Sequence, residues 1–199
     1  SYASGQLSVV KTTDEDLNVS YTFTDKMGHV VLSRQMKGSE THNTYYVYDD
    51  KSNLCFVLQP MYQSSANLDQ YAFQYKYDGR NRCIWKKLPG AGYMEMVYDN
   101  ADRLVFSQDG NQRALTSGNW TYYKYDGLNR LTTQTIPAAN PIVTTLEYED
   151  SERGDGYTTN LVESETIGGV TYRYTRNAVG NITKVEESTN GTDFTTTAY

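Results

Sequence analysis

An all-β fold of consecutive antiparallel hairpins is what this sequence predicts, and three observations carry the expectation. Tyr supplies 19 of the 199 residues and Thr is frequent; both suit a pleated, half-buried sheet face. Ala and Leu, the strong helix formers, are sparse. A phrase made of Tyr, Asp, two variable residues, Gly or Asn, a polar residue and an apolar residue returns along the chain, and each copy has the chemistry of a turn between two strands.

The phrase is clearest where Asp follows Tyr: Asp49, Asp78, Asp99 and Asp126. Two weaker copies flank these, with Asp25 and Asn177 in the anchor position, so that successive anchors lie 24, 29, 21, 27 and 51 residues apart. The last gap holds two periods, and residues 146–162 fill it as a degenerate copy with a lengthened turn. Three residues after each anchor stand Gly28, Ser52, Asn81, Asp102, Asn129 and Gly180. Gly, Asn and Asp tolerate positive φ, so five of the six fit a left-handed position. Next comes a polar residue (His29, Asn53, Arg82, Arg103, Arg130, Asn181) and then an apolar one (Val30, Leu54, Cys83, Leu104, Leu131, Ile182).

The physics of one period follows. Tyr75 and Tyr77, or Tyr123 and Tyr125, are two apart and share a strand face. Asp or Asn opens a turn by hydrogen bonding to the backbone two residues on. A residue in the left-handed region closes it, polar–apolar alternation resumes on the outgoing strand, and the apolar residue that follows the turn is expected to serve as core. A lone hairpin is marginal, so each must pair with its neighbours in a continuous, curved sheet. The expectation is one array over residues 1–199 with about seven hairpin units, at 19–36, 43–60, 71–90, 93–110, 120–136, 143–164 and 170–187. Of the connectors, residues 59–70 have a Ser- and Asn-rich entry that suits a helical turn around Ala66–Tyr71, giving at most one short helix. Residues 89–92 read as a tight loop, 136–141 as a Pro-punctuated one, and Gly168-Gly169 as a hairpin turn.

At this point the residues carry a resemblance. The phrase resembles the YD repeat of the RHS/YD-repeat proteins across nearly the whole chain, and the strings at 45–60, 75–92 and 97–114 resemble most the large RHS-repeat surface proteins of Bacteroidetes. The resemblance implies a ribbon of hairpins that curls into a hollow β-shell. In toxin systems such a shell encloses a C-terminal effector domain, and related arrays occur in adhesive cell-surface proteins. The Pro- and Asp-rich segment that normally ends the shell, and any toxin domain after it, are not found here, so the chain reads as an interior slice of a larger protein. The implied partners are neighbouring repeats of the same polypeptide, a C-terminal effector, glycans or cell-surface proteins. The implied location is secreted or on the bacterial surface, with the export signal outside this sequence, which starts at Ser1.

Composition excludes other classes. A net charge of −6, with no Lys/Arg run longer than Lys86-Lys87, argues against nucleic acid, which needs a clustered cationic face. No apolar stretch approaches the roughly 20 residues needed to span a bilayer as a helix. His29 and His42 are the only histidines, and neither has partners at the spacing a metal ligand or general base requires. The Asp-rich turns lack the ligand spacing of a calcium loop, and turn capping already accounts for each Asp. No nucleophile elbow is present. The expectation is therefore no catalysis, no cofactor and no metal. Cys55 and Cys83 are either small buried residues or a disulfide pair. The sequons at Asn18, Asn119, Asn181 and Asn190 follow from a Thr- and Asn-rich composition. The one feature with binding potential is aromatic. Trp85, Trp120, Tyr75 and Tyr123 are candidates for stacking on a sugar ring or a protein partner, against the alternative that Tyr pairs simply knit strands together.

Overall fold

The structure is a computed structural model that describes residues 2–115, 119–138, 141–149 and 160–198. It is all-β: sixteen strands in one sheet, every neighbour antiparallel, in the order of the chain. In sequence they are β1 (Ser8–Thr13), β2 (Val19–Thr24), β3 (Val30–Lys37), β4 (Glu40–Tyr48), β5 (Leu54–Leu58), β6 (Ala72–Tyr77), β7 (Cys83–Lys87) and β8 (Met94–Tyr98). There follow β9 (Leu104–Gln108), β10 (Thr121–Tyr125), β11 (Leu131–Ile136), β12 (Ile142–Tyr148), β13 (Val162–Ile167), β14 (Val170–Arg176), β15 (Ile182–Ser188) and β16 (Thr195–Ala198). Short connections between sequential strands leave antiparallel pairing as the natural outcome. The chain divides into two compact units, residues 1–96 with 109–111 and residues 97–108 with 112–199.

Three short helices occur among the described residues, where the sequence reading allowed at most one. α1 (Tyr62–Ser65) and α2 (Leu68–Tyr71) occupy the long connector, α1 ending at Ala66 in the left-handed region and α2 capped by the Asn67 side chain. α3 (Gly110–Leu115) was not anticipated. In the first unit Gly110 lies against Gly92 so closely that a Cβ on Gly92 would sit 2.8 Å from the Gly110 Cα. Part of the Pro-punctuated loop and the lengthened turn, residues 139–140 and 150–159, lie outside the described residues. The Gly168-Gly169 loop joins Ile167 to its partner Val170 with both glycines at positive φ, +57° and +92°, the twist that a two-residue hairpin needs.

The strands do not alternate simply. In six hairpins the register slips by one just before the anchor, between Phe23 and Thr24, Val47 and Tyr48, Lys76 and Tyr77, Lys124 and Tyr125, Glu147 and Tyr148, and Thr175 and Arg176. One residue of the outgoing strand is left over each time, a β-bulge. Its consequence is plain in the second hairpin, where Leu54 pairs with Tyr48 but Phe56 pairs with Val47. Residues two apart thus end on opposite faces, which a flat strand forbids. Tyr48 and Leu54 share one face, called here the tyrosine face, and Val47 and Phe56 share the open face.

Neither face is covered among the described residues, and this corrects the expectation that the apolar residue after each turn belongs to a buried core. Among the described residues only Val31 and Ala72 are buried hydrophobics. Leu54, Leu104 and Leu131 are half-buried and Ile182 is exposed. Hydrogen bonds between hairpins therefore hold more of the structure than a core does.

Candidate functional site

The repeated turns form the most organised constellation in the molecule. At each anchor the backbone N–H donates to the carbonyl four residues on, and the N–H three residues on donates to the anchor carbonyl, at 2.9–3.2 Å. One side-chain oxygen of Asp25, Asp49, Asp78, Asp99, Asp126 and Asn177 also accepts the N–H groups two and four residues on, at 2.8–3.1 Å. This is a type I turn closed by a left-handed residue. The closers have φ of +89° at Gly28, +61° at Asn81, +62° at Asp102, +65° at Asn129 and +87° at Gly180. Ser52, the one residue type that did not fit, has φ of +68° all the same.

The second oxygen of each carboxylate reaches the side chain four residues on. Asp25 meets His29 Nδ1 at 3.1 Å and Asp49 accepts Asn53 Nδ2 at 3.0 Å. Asp78, Asp99 and Asp126 accept the Nε of Arg82, Arg103 and Arg130 at 2.7, 2.7 and 2.6 Å. Sequence reasoning treats this column as merely polar, yet it also bridges to the next hairpin. Asn53 donates to Asn81 Oδ1 at 3.1 Å, Arg103 to Asn129 Oδ1 at 3.1 Å and Arg130 to Asn160 Oδ1 at 3.2 Å. The same side chains lie on the next anchor tyrosine: His29 stacks on Tyr48 at 4.5 Å, Arg103 lies over Tyr125 at 5.2 Å and Arg130 over Tyr148 at 4.4 Å.

These bonds favour the ionised carboxylates. The Arg82 side chain is the largest influence on Asp78 and holds its carboxyl at about 2, below the ordinary 3.8. The side chains of Asn53 and Asn18 lower Asp49 and Asp14 in the same way. For Asp99 the Arg103 backbone N–H leads. At Asp25 and Asp126 desolvation, the largest influence, pushes upward, and hydrogen bonds from His29 and Arg130 outweigh it.

The tyrosine before the anchor does more than present a ring. Its hydroxyl donates to the carbonyl of the apolar residue that follows the preceding turn: Tyr48 to Val30 at 3.1 Å, Tyr77 to Leu54 at 2.9 Å, Tyr125 to Leu104 at 2.8 Å and Tyr148 to Leu131 at 2.8 Å. For Val30, Leu54 and Leu131 that carbonyl stands beside the bulge, where the ladder is disrupted. Arg176 occupies the tyrosine position in the last repeat, and its Nη2 donates to the corresponding carbonyl, Val162, at 3.1 Å. Burial pushes the Tyr48, Tyr77 and Tyr125 phenols up.

Sequence reasoning missed one turn of this type. Asp14 accepts Asn18 N–H at 2.8 Å and Asn18 Nδ2 at 2.9 Å, and Leu17 closes the turn at φ +64°. It joins β1 to β2 and so sits at the connector edge, opposite the other turns. Thr13 in place of Tyr and Leu17 in place of Gly or Asn hid it; Asn18 followed by Val19 was the remaining signal. In the lengthened copy Glu149 is the anchor, its N–H donating to Leu161 at 2.9 Å, with Asn160 as closer at φ +54°.

The sheet separates the four aromatic candidates. Trp85 pairs across strands with Lys76 on the open face, whereas Tyr75, adjacent to Lys76, is half-buried on the tyrosine face. The Trp85 ring is already in contact with Lys76 Nζ at 4.6 Å and with Tyr93 at 5.6 Å. In the second unit Trp120 lines an open-face cavity of about 230 Å³ with Val97, Phe106 and Tyr122. Phe106 and Tyr122 meet there edge to face at 5.3 Å. Tyr123 points to the other face, its hydroxyl 3.0 Å from that of buried Ser107. Cys55 and Cys83 are not joined in a disulfide. They lie on β5 and β7 with β6 between them, a gap of two strand spacings or roughly 9–10 Å, beyond the reach of a disulfide. No cluster of three potential metal ligands occurs among the described residues, and no described helix is long and apolar enough to cross a membrane.

No family model and no curated protein matches the chain. Solved structures do match by fold. A chain of the Photorhabdus luminescens Tc holotoxin pore, with a mutation in TccC3, superposes with a TM-score of 0.54 at 12% identity, over 93% of this chain and 12% of that one. TcdB2-TccC3 gives 0.53 at 11% identity, and TcdB2-TccC3-Cdc42 gives 0.52 at 11%, each over 90% of this chain and 12% of the other. The chain thus spans about an eighth of the length of these structures, and at such identity the likeness concerns the fold alone. That fold is RHS-like.

Proposed function

We propose that the chain is a non-catalytic structural segment of a large surface or secreted RHS/YD-repeat protein, forming part of the wall of a β-shell that encloses or displays a C-terminal effector. The observation that carries this reading is the bonding of the repeat residues. Asp, the residue four on, the left-handed closer and the anchor tyrosine each bond to their own hairpin or the next one, which is what a wall requires and leaves these side chains little capacity for chemistry. Fold likeness to TcdB2-TccC3 supports the shell over an isolated sheet. The test joins this chain to its flanking sequence and follows limited proteolysis of the downstream segment. Protection should weaken when Asn81 and Asn129 are both replaced by Val. Equal cleavage with and without an intact array would remove the enclosing role.

A second reading, an adhesive module for carbohydrate or protein, rests on the cavity of Val97, Phe106, Trp120 and Tyr122. Titration with a broad polysaccharide panel should change Trp120 fluorescence, and the change should vanish in Trp120→Ala. Silence across the panel would end the glycan form of this reading. Trp85 is a weaker candidate because its ring already has two neighbours, and Tyr75 and Tyr123 lie on the other face.

A further inference from the structure

We infer that Asn190 is a self-modification site, at which the fold drives the side-chain amide to close onto the backbone nitrogen of Gly191, forming a succinimide that water opens to aspartate or isoaspartate. This is independent of the scaffold reading. Asn190-Gly191 is the chain's one Asn-Gly pair, and a following glycine presents a nitrogen unshielded by any Cβ. The pair lies between β15 and β16, exposed to water, with Gly191 at φ +77°.

Reactive groups converge on one hydroxyl. Ser188 is 2% exposed. Its Oγ donates to Asn190 Oδ1 at 2.8 Å and accepts the Gly191 N–H at 2.9 Å and the Asn190 N–H at 3.3 Å. Nucleophile and carbonyl are therefore held to the same atom. Three further donors converge on Oδ1: Thr192 N–H at 2.9 Å, Asp193 N–H at 2.9 Å and Thr192 Oγ at 3.1 Å. Donors so placed stabilise the negative charge that grows on a carbonyl oxygen under attack.

The step balances without any oxidant or reductant. A bond forms between Gly191 N and Asn190 Cγ. Ser188 Oγ takes the Gly191 proton while passing its own toward Oδ1. On collapse Oδ1 gives up the proton it received to Nδ2, the Cγ–Nδ2 bond breaks and ammonia leaves, while Ser188 keeps the proton from Gly191 as its hydroxyl hydrogen. Water then cleaves either C–N bond of the ring. Asp78-Gly79 and Asp126-Gly127 show the opposite arrangement: their carboxylates accept backbone N–H groups and an Arg guanidinium, and an ionised carboxylate is a poor electrophile. At Asn190 the product is disruptive, because Nδ2 now donates to Asp193 Oδ2 at 2.6 Å. Modification sets a second carboxylate there, takes the net charge from −6 to −7, and loosens the turn that carries β16.

The test follows deamidation and isoaspartate at Asn190 by peptide mass spectrometry while the full chain stands at neutral pH. A synthetic peptide covering 187–194 and the chain in denaturant run alongside. The folded chain should react at least about tenfold faster than either control. Ser188→Ala should slow it toward the peptide's rate, and Thr192→Val, which keeps both backbone donors, should slow it less. Asp78 and Asp126 should keep normal linkage. A folded rate equal to or below the peptide's, or a faster reaction in either variant, would show that the turn shields Asn190 and would overturn the inference.

Discussion

The hydroxyl of Tyr125 donates a 2.8 Å hydrogen bond to the carbonyl of Leu104, 21 residues earlier and in the preceding hairpin. This bond explains why the phrase begins with Tyr and not Phe. Tyr125→Phe should cost about 0.5–1.5 kcal/mol in chemical denaturation, the net value of one hydrogen bond. Tyr122→Phe, at an exposed ring on the open face, should stay within about 0.5 kcal/mol of the parent. Equal effects would mean that the hydroxyl bond contributes nothing.

The left-handed closers make a two-sided prediction. Asn129 has φ of +65°, and Val resists that region, so Asn129→Val should destabilise by roughly 1–2 kcal/mol. Leu17 holds φ of +64° with its side chain 79% exposed, so it bears the strain without packing in return. Leu17→Asn should raise the thermal midpoint, by up to about 1 kcal/mol in stability. A melt unchanged in both variants would place the strain elsewhere.

Acid should weaken the turn ladder in a defined window. Asp78 is held at about 2 in the folded chain, against an ordinary 3.8. Since the unfolded chain takes up the proton first as pH falls, the Asp78 contribution is complete above about 4 and disappears as pH drops through about 2. The thermal midpoint of Asp78→Asn should fall less steeply across that window than the parent's. Parallel curves would refute the assignment.

The Gly92–Gly110 contact should be intolerant of any side chain. A Cβ on Gly92 would meet backbone at 2.8 Å, whereas one on Gly127 meets nothing within 4 Å. Gly92→Ala should therefore cost about 1–3 kcal/mol, as overpacking does. Gly127→Ala should be close to neutral in the same denaturation series.

Much of the fold was legible because each hairpin's instruction is local. Asp126, Asn129 and Leu131 lie within six residues of chain, and side-chain capping, positive φ and apolar return are chemistry that one short segment completes by itself. Asp14 shows the limit of that legibility. Its turn has the same bonds, but Leu17 in the closing position gave a reader no cue. Arg176 shows another limit: an arginine donates where tyrosines do elsewhere, which only the carbonyl of Val162 reveals.

By itself, then, the sequence determined the hairpins, their order and the composition of their turns. Only the tertiary structure decided which residues share a face and which hairpins are tied together. The bulge found just before the anchor in six hairpins shifts register by one, and in the Asp78 hairpin it places Trp85 on the open face and Tyr75 on the other. Three of the side chains four residues after an anchor find hydrogen-bond partners 26 to 30 residues away: Asn53 at Asn81, Arg103 at Asn129 and Arg130 at Asn160. Such contacts exist only once neighbouring strands pair, so the physical reason is distance along the chain: local propensity shapes a turn, but pairing decides what the turn touches.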